Sequence, residues 1–424
     1  MEIEASAVDL CRFIDAAPCP ALAADEICLR LSKAGFRGLD LADPDWNLVA
    51  GRYFLRRGAS VVAFAQRGGT PNQYAVVGAH TDSPHLRLKP RAPYLQEDCK
   101  QFAVEVYGRA LWNSWLDRDL GLAGTVFTVD GEERRVRLHR PLARVAQLAI
   151  HLDSRVNEEG LKLNPQLHLA PIWGLRGEPE AEFQALLAET AGVGGGEIAA
   201  YDLSLYDLMP AALGGASGEL IFAPRLDNLA SCHAGLLALL EAAEGGTPGS
   251  LAVLACLDHE EVGSESEIGA GGAFLGTVLE RIAAGCGLTR TQHLAALACS
   301  LMLSADMAHG VHPNYADRHE PHHKPRLGAG PVLKTNHGQR YATTHATAAY
   351  VRSLARAVDT PLQDFASRSD LSCGTTIGPI CAARLGMAVA DLGTPMLSMH
   401  SARECAATAD HAPYIRLLAA HLRG

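Results

Sequence analysis

The chain has 424 residues, 48% of them hydrophobic and 20% charged, so it can bury large cores, and at roughly 150 residues per domain its length suits two or three domains. Its 47 acidic residues outnumber 37 basic ones, and the net charge of −10 argues against non-specific nucleic-acid binding and against anionic membrane surfaces. No apolar run reaches the roughly 18 residues of a membrane span and the first residues lack the positive flank of a secretory signal, so the expected compartment is the cytoplasm and the expected partners are metabolites, peptides or proteins.

In chain order, the first strong element is YAVVGAHTDSP, an apolar run from Tyr74 to Val77 that ends in Gly78 and polar residues, as a buried parallel strand does. From about Pro90 to Glu219 the pattern changes. TVFTVDGEERRVRLH carries Asp130-Gly131 between two strand-like runs, a two-residue hairpin signal, and Val136 and Leu138 alternate with Arg135, Arg137 and His139. The Gly-rich stretch from Gly192 to Glu197 reads as a connection, since no strand precedes it and GxGxxG is absent. Strand-then-helix grammar resumes near Leu220. A helical pattern starts at Asp227, Leu251 to Leu257 forms a second buried strand, and ALACSLMLSADMAHG supplies a third. The His-rich segment Asp317 to Pro325 reads as a solvated loop, and further helical patterns follow from Arg340 and in the C-terminal HAPYIRLLAAHL.

This order predicts an α/β fold, a mostly parallel sheet with helices on both faces, interrupted by a β-rich insertion. The expected boundaries are 1–89 and 220–424 for the α/β part and 90–219 for the insertion.

Chemistry gathers where apolar strands end. His80 and Asp82 follow the first strand, Glu260 and Glu261 the second and Asp306 the third, while Asp227 opens a helix and His400 follows GMAVADLGTPMLSMH. In an open α/β sheet these ends meet along one edge. The eleven cysteines are scattered without a CxxC pair and read as reduced thiols, so histidines and carboxylates form the ligand pool, which suits zinc, cobalt or manganese. Asp82, two residues after His80, is placed to accept a hydrogen bond from the far ring nitrogen and orient it. In Glu260-Glu261, one carboxylate can hold metal while the other moves protons, with a tight turn expected at Val262-Gly263.

The motifs GAHTDSPHLRLKP, APRLDNLASCHAGL, LDHEEVGSESEIGA, SADMAHGVHPNY and MHSARE together resemble the M18 family of metallo-aminopeptidases, the aspartyl aminopeptidases. The resemblance extends through FIDAAPCPALAA, HLDSRVNEEGLKLNPQLHLAP, KTNHGQRYA and RSDLSCGTTIGP, nearly end to end, and departs at Ala21-Leu22, where the family usually has an aromatic-His pair. It implies two zinc ions, one on His80 and Asp306, the other on Glu261 and His400, bridged by Asp227. It gives Glu260 the proton-transfer role on a water shared by the metals. It also implies substrate contacts at His151, His309, Lys334 and Tyr341, with Glu260 and Asp306 facing substrate as well. In the family the insertion mediates dimerisation, so His151 is expected to reach a neighbouring subunit's site. Lys334 would pair with an acidic P1 side chain, giving release of N-terminal Asp or Glu from peptides by a homo-oligomer, dimers assembled into a dodecamer.

The alternatives are an aminopeptidase of neutral residues, a metal-dependent deacylase or carboxypeptidase, and a non-catalytic scaffold that keeps the fold. No GxSxG elbow and no recognisable cysteine nucleophile motif support a serine or cysteine hydrolase.

Overall fold

The computed structural model describes residues 3–247 and 249–424. Its main sheet has nine strands, in the spatial order Arg37–Gly38, Gly51–Arg57, Ser60–Gln66, Ser250–Leu257, Gln73–His80, Leu301–Ala305, Ala388–Gly393, Val332–Thr335 and Gln363–Ala366. The four central strands, from Ser250–Leu257 to Ala388–Gly393, run parallel, so their carboxyl ends lie on one edge. Antiparallel strands flank them on both sides. The buried strands alternate between two cores: Ala75, Val77 and Ala79 face one, Tyr74 and Val76 the other. Helices Ile3–Ala16, Pro20–Lys33, Leu226–Ala242 and Thr408–Arg423 cover the first face, and Phe274–Gly285, Arg290–Ala298 and Ile377–Leu385 cover the second. The mostly parallel α/β architecture with helices on both faces is therefore as the sequence predicts.

A six-stranded antiparallel sheet takes its strands from His85 to Asp207 and buries its own core, centred on Leu86, Phe102, Leu122, Phe183 and Leu205. Its first strand, His85–Gln96, spans the position where sequence grammar alone places the change. The 13-residue helix Pro179–Ala191 packs on this sheet. Asp130-Gly131 does turn a hairpin, but the Thr128 amide bonds to the Glu132 carbonyl at 3.0 Å, so the loop holds three residues, with Gly131 in the left-handed region at φ +82. A third sheet of five short strands joins Ala212–Gly214, Leu220–Ala223, Glu404–Ala407, Pro395–Leu397 and Ala308–His309. Among the described residues no helix is long and apolar enough to cross a membrane.

Two buried histidines make the fold sensitive to acid. His421 donates from Nε2 to the Val76 carbonyl at 3.1 Å and accepts at Nδ1 from the Tyr350 hydroxyl at 2.9 Å. His85 donates from Nδ1 to the Ser83 carbonyl and shares Nε2 with the Ser204 hydroxyl, both at 2.8 Å. Burial pushes each down to about 4, against about 6.5 in the unfolded chain. Between those values the unfolded chain binds more protons, so the stability present above about pH 6.5 is lost as pH falls toward 4, about 3 kcal/mol for each histidine. The expected result is that both rings stay neutral in the folded, metal-stripped protein from pH 7 down to about pH 5, read from their imidazole resonances. A bulk Tm would not isolate them, because buried Glu260 and Glu404, each held up at about 8, bind protons over the same range and act in the opposite sense. Protonation of either ring near pH 6 would contradict its neutral, doubly bonded state.

Candidate metal centre

His80 ends its strand inside the protein, 2% exposed, and the chain then turns so that Asp82 is fully buried. The His80 Nδ1 donates to the Asp82 backbone carbonyl at 3.0 Å, with the Asp82 carboxylate at 3.3 Å. The sequence suggests the Asp82 carboxylate as the acceptor; the backbone oxygen of that residue makes the shorter contact. The carboxylate's main work lies elsewhere: Oδ1 accepts the Glu260 amide at 3.2 Å, and Oδ2 accepts the Glu261 amide at 3.0 Å and the Tyr107 hydroxyl at 2.8 Å. It fixes the short turn Glu260–Val262, which is bounded by His259 at φ +66 and Gly263 at φ +99, where the tight turn is expected.

Asp306 follows the strand Leu301–Ala305, and its amide bonds to Leu392 at 3.0 Å. The backbone there passes so close to Gly393 that a Cβ at that glycine would lie 1.8 Å from the Asp306 carbonyl oxygen. Asp227 stands at the entrance of helix Leu226–Ala242 in a non-helical conformation, with the Ser83 hydroxyl donating to its carbonyl at 2.6 Å. His400 comes from the loop after Pro395–Leu397 and donates from Nδ1 to the Arg109 carbonyl at 3.0 Å.

These elements bring five residues together around one carboxylate. Asp227 Oδ1 lies 3.4 Å from His80 Nε2, and Oδ2 lies 3.3 Å from His400 Nε2. His80 Nε2 is 3.7 Å from Asp306, and His400 Nε2 is 3.4 Å from Glu261. Three overlapping groups have metal-ligand geometry: His80, Asp227 and Asp306; Asp227, Glu261 and His400; and His80, Glu260 and Glu261. The donors fit a divalent cation. Asp227 Oδ1 and Glu261 Oε1 are buried without a hydrogen-bond partner, and both imidazoles spend Nδ1 on a backbone carbonyl, leaving Nε2 free.

The electrostatics are those of crowded carboxylates. Burial first, and then the charge of Asp306, holds Glu260 up at about 8 against the pull of His80. Burial and the neighbouring Asp227 charge push Glu261 well above the usual range, whereas contacts with His400 and His80 overcome burial and hold Asp227 below it. Cations bound here would relieve this repulsion and keep the ring nitrogens neutral.

Of the predicted substrate residues, Lys334 is 1% exposed; its Nζ donates to the Met307 carbonyl at 3.1 Å and to Asp306 at 3.4 Å, and sits 5.1 Å from the centroid of the Tyr341 ring. His309 and Tyr341 both pack edge-on against Phe365 and line a cleft of ≈ 280 Å³ with Arg368, Met396 and Met399. The His-rich segment is not wholly solvated, because His319 and Glu320 also line this cleft. His151 stands exposed on the loop before the short helix Val156–Glu159 and belongs to none of the metal-competent groups of its own chain. Sequence reasoning missed Tyr107, the Arg109 carbonyl and Glu404, which accepts the amides of both Asp227 and His400.

Two imidazoles and several carboxylates at the carboxyl edge of an α/β sheet define a metal-dependent hydrolase. Residues 13–421 match the family model of the aminopeptidase I zinc metalloproteases, M18. A probable M18 family aminopeptidase 2 of Streptomyces coelicolor is 46% identical over 407 residues, covering 95% of this chain and 94% of the relative. The Mycobacterium tuberculosis protein described in the same words is 45% identical over 428 residues, covering 99% and 98%. Among solved structures, the cryo-EM structure of the Ape4 and Nbr1 complex matches with a TM-score of 0.95 at 35% identity, over 99% of this chain and 86% of that one. The S. cerevisiae mApe1 dodecamer matches with a TM-score of 0.83 at 26% identity, over 98% and 95%. The chain belongs to the M18 family and is a metallo-aminopeptidase.

Proposed function

We propose that this enzyme is a dizinc aminopeptidase that releases N-terminal Asp or Glu from peptides. The observation that carries the two-metal reading is the sharing of Asp227 between two donor groups, one completed by His80 and Asp306 and the other by Glu261 and His400. Bound there, two zinc ions would supply Lewis acidity and lower the pKa of water; cobalt or manganese accepts the same donors. The chain's own residues do the rest. Asp306 and Glu260 face the cationic N-terminus, and Glu260, whose carboxylate takes no hydrogen bond among the described residues, is free to accept a proton and return it to the departing amine. Lys334 has three N–H donors and uses two, so an acidic P1 side chain can take the third in a charge-assisted bond far from bulk water. Apolar Phe365, Met396 and Met399 in the cleft favour the second reading, a neutral P1 residue.

The oligomeric part of the reading rests on the dodecameric relative and on Leu148, Ile150 and Leu152, 64%, 46% and 74% exposed beside His151. Such a patch needs a partner, and dimers joined through it would carry His151 to a neighbouring site, where it would polarise the scissile carbonyl. The eleven unpaired cysteines support cytoplasmic residence.

The test is hydrolysis of Asp-, Glu-, Ala-, Leu- and Lys-anilides by wild type and Lys334→Met, before chelation, after it and with zinc restored. Chelator-sensitive activity favouring Asp and Glu, with Lys334→Met losing at least about 100-fold more on those two than on Leu, is the expected result. Preference for Leu or Ala would leave the metal reading and remove the acidic pocket.

A further inference from the structure

Two buried carboxyl groups grip the centre from behind by the same device. Asp82 takes the amides of Glu260 and Glu261, one on each oxygen. Glu404, 2% exposed on the strand Glu404–Ala407, takes the His400 amide on Oε1 at 2.7 Å and the Asp227 amide on Oε2 at 3.1 Å. The two amides belong to segments 173 residues apart, one entering a helix and one in a loop, and Glu404 is the side chain that ties them together.

We propose that Glu404 is a positioning residue for the second metal, setting the distance between the Asp227 carboxylate and the His400 ring. Three observations carry this. First, no Lys or Arg pairs with Glu404 among the described residues, so its burial is compensated by those amides rather than by an ion pair. Second, His400 at φ +69 and Ser398 at φ +58 hold left-handed conformations that non-glycine residues avoid, and such a loop stays in place only when its surroundings fix it. The Glu404 contact, the Arg109 carbonyl on Nδ1 and the Leu111 amide on the His400 carbonyl at 2.9 Å do so together. Third, Glu404 touches ligands of one metal group asymmetrically: His400 belongs to the second group alone and Asp227 to both, while His80 and Asp306 of the first are out of its reach. A glutamine of the same shape keeps one acceptor oxygen and turns an NH₂ toward the other amide, setting donor against donor.

This inference rests on the two-metal reading, and its experiment separates the two. Metal-stripped wild type, Glu404→Gln and Glu404→Asp are titrated with zinc against a chromophoric chelator, and kcat and KM are measured with and without excess zinc. Wild type is expected to bind two zinc ions. Glu404→Gln should keep one tight site and weaken the other about 10- to 100-fold, the range for groups that orient metal ligands, with kcat recovering at high zinc and KM unchanged. Fewer than two ions on wild type would overturn the two-metal reading and this inference with it. Two ions on wild type, and either unchanged affinities or equal weakening of both sites in the variant, would overturn the role of Glu404 alone. If Glu404→Gln does not fold, Glu404→Asp, which keeps both oxygens on a shorter arm, is read by the same selective loss.

Discussion

Replacing Glu260 by Gln is expected to lower kcat about 100- to 10,000-fold while the protein keeps its metal content and its Tm. The size follows from what the residue can do and its neighbour cannot. Asp82 fixes the backbone amides of both Glu260 and Glu261, so the two side chains leave one turn from set positions. Glu261 points at His400, 3.4 Å away, with an oxygen that no hydrogen bond satisfies. The Glu260 carboxylate lies no closer to an imidazole than 3.9 Å, from His80, and burial favours its binding a proton. In the proposed assignment Glu261 holds a cation and Glu260 carries a proton, and glutamine in the second role has the shape but no basic oxygen. The geometry also allows a rival assignment, because His80, Glu260 and Glu261 form a metal-competent group of their own. Metal analysis decides between them. Loss of an ion from Glu260→Gln would make this residue a ligand, and turnover near wild type would remove it from proton transfer altogether.

Strand ends made the candidate donors legible in the sequence. His80, the Glu260-Glu261 pair and Asp306 each follow an apolar run, and a parallel sheet brings such ends together whatever lies between them in the chain. Glu404 escaped because its effect passes through backbone amides 177 and four residues away, and an amide carries no residue-type signature. The Arg109 carbonyl that orients His400 is invisible for the same reason, and Tyr107 looks like any strand aromatic until its hydroxyl meets Asp82. The helix expected from Arg340 begins at His345, capped by Thr344, and Asp391 takes the Ala342 amide at 2.6 Å in the irregular segment before it. That delay leaves Tyr341 at the cleft instead of on a helix face. The burial of Lys334 likewise reverses what residue type alone predicts, since an isolated lysine is usually exposed and this one is enclosed by Asp306, Met307 and Tyr341.

On the proposed two-metal reading, Asp227→Ala should cost more than any other single replacement among the donors, because both sites would lose a ligand at once. Its two oxygens address different imidazoles, His80 at 3.4 Å and His400 at 3.3 Å, and no other residue belongs to both the His80–Asp306 group and the Glu261–His400 group. Orienting groups alone are worth about 10- to 100-fold in affinity, so loss of a shared ligand is expected to weaken both sites by more than about 100-fold. Dialysed Asp227→Ala should therefore retain almost no zinc and no measurable aminopeptidase activity. Asp306→Ala and His400→Ala, each serving one group, should each retain close to one ion per chain. The contrast is the informative part. If Asp227→Ala kept one tightly bound ion, the carboxylate would serve a single metal, and the two sites would have to be joined through Glu260 and Glu261 on His80 instead.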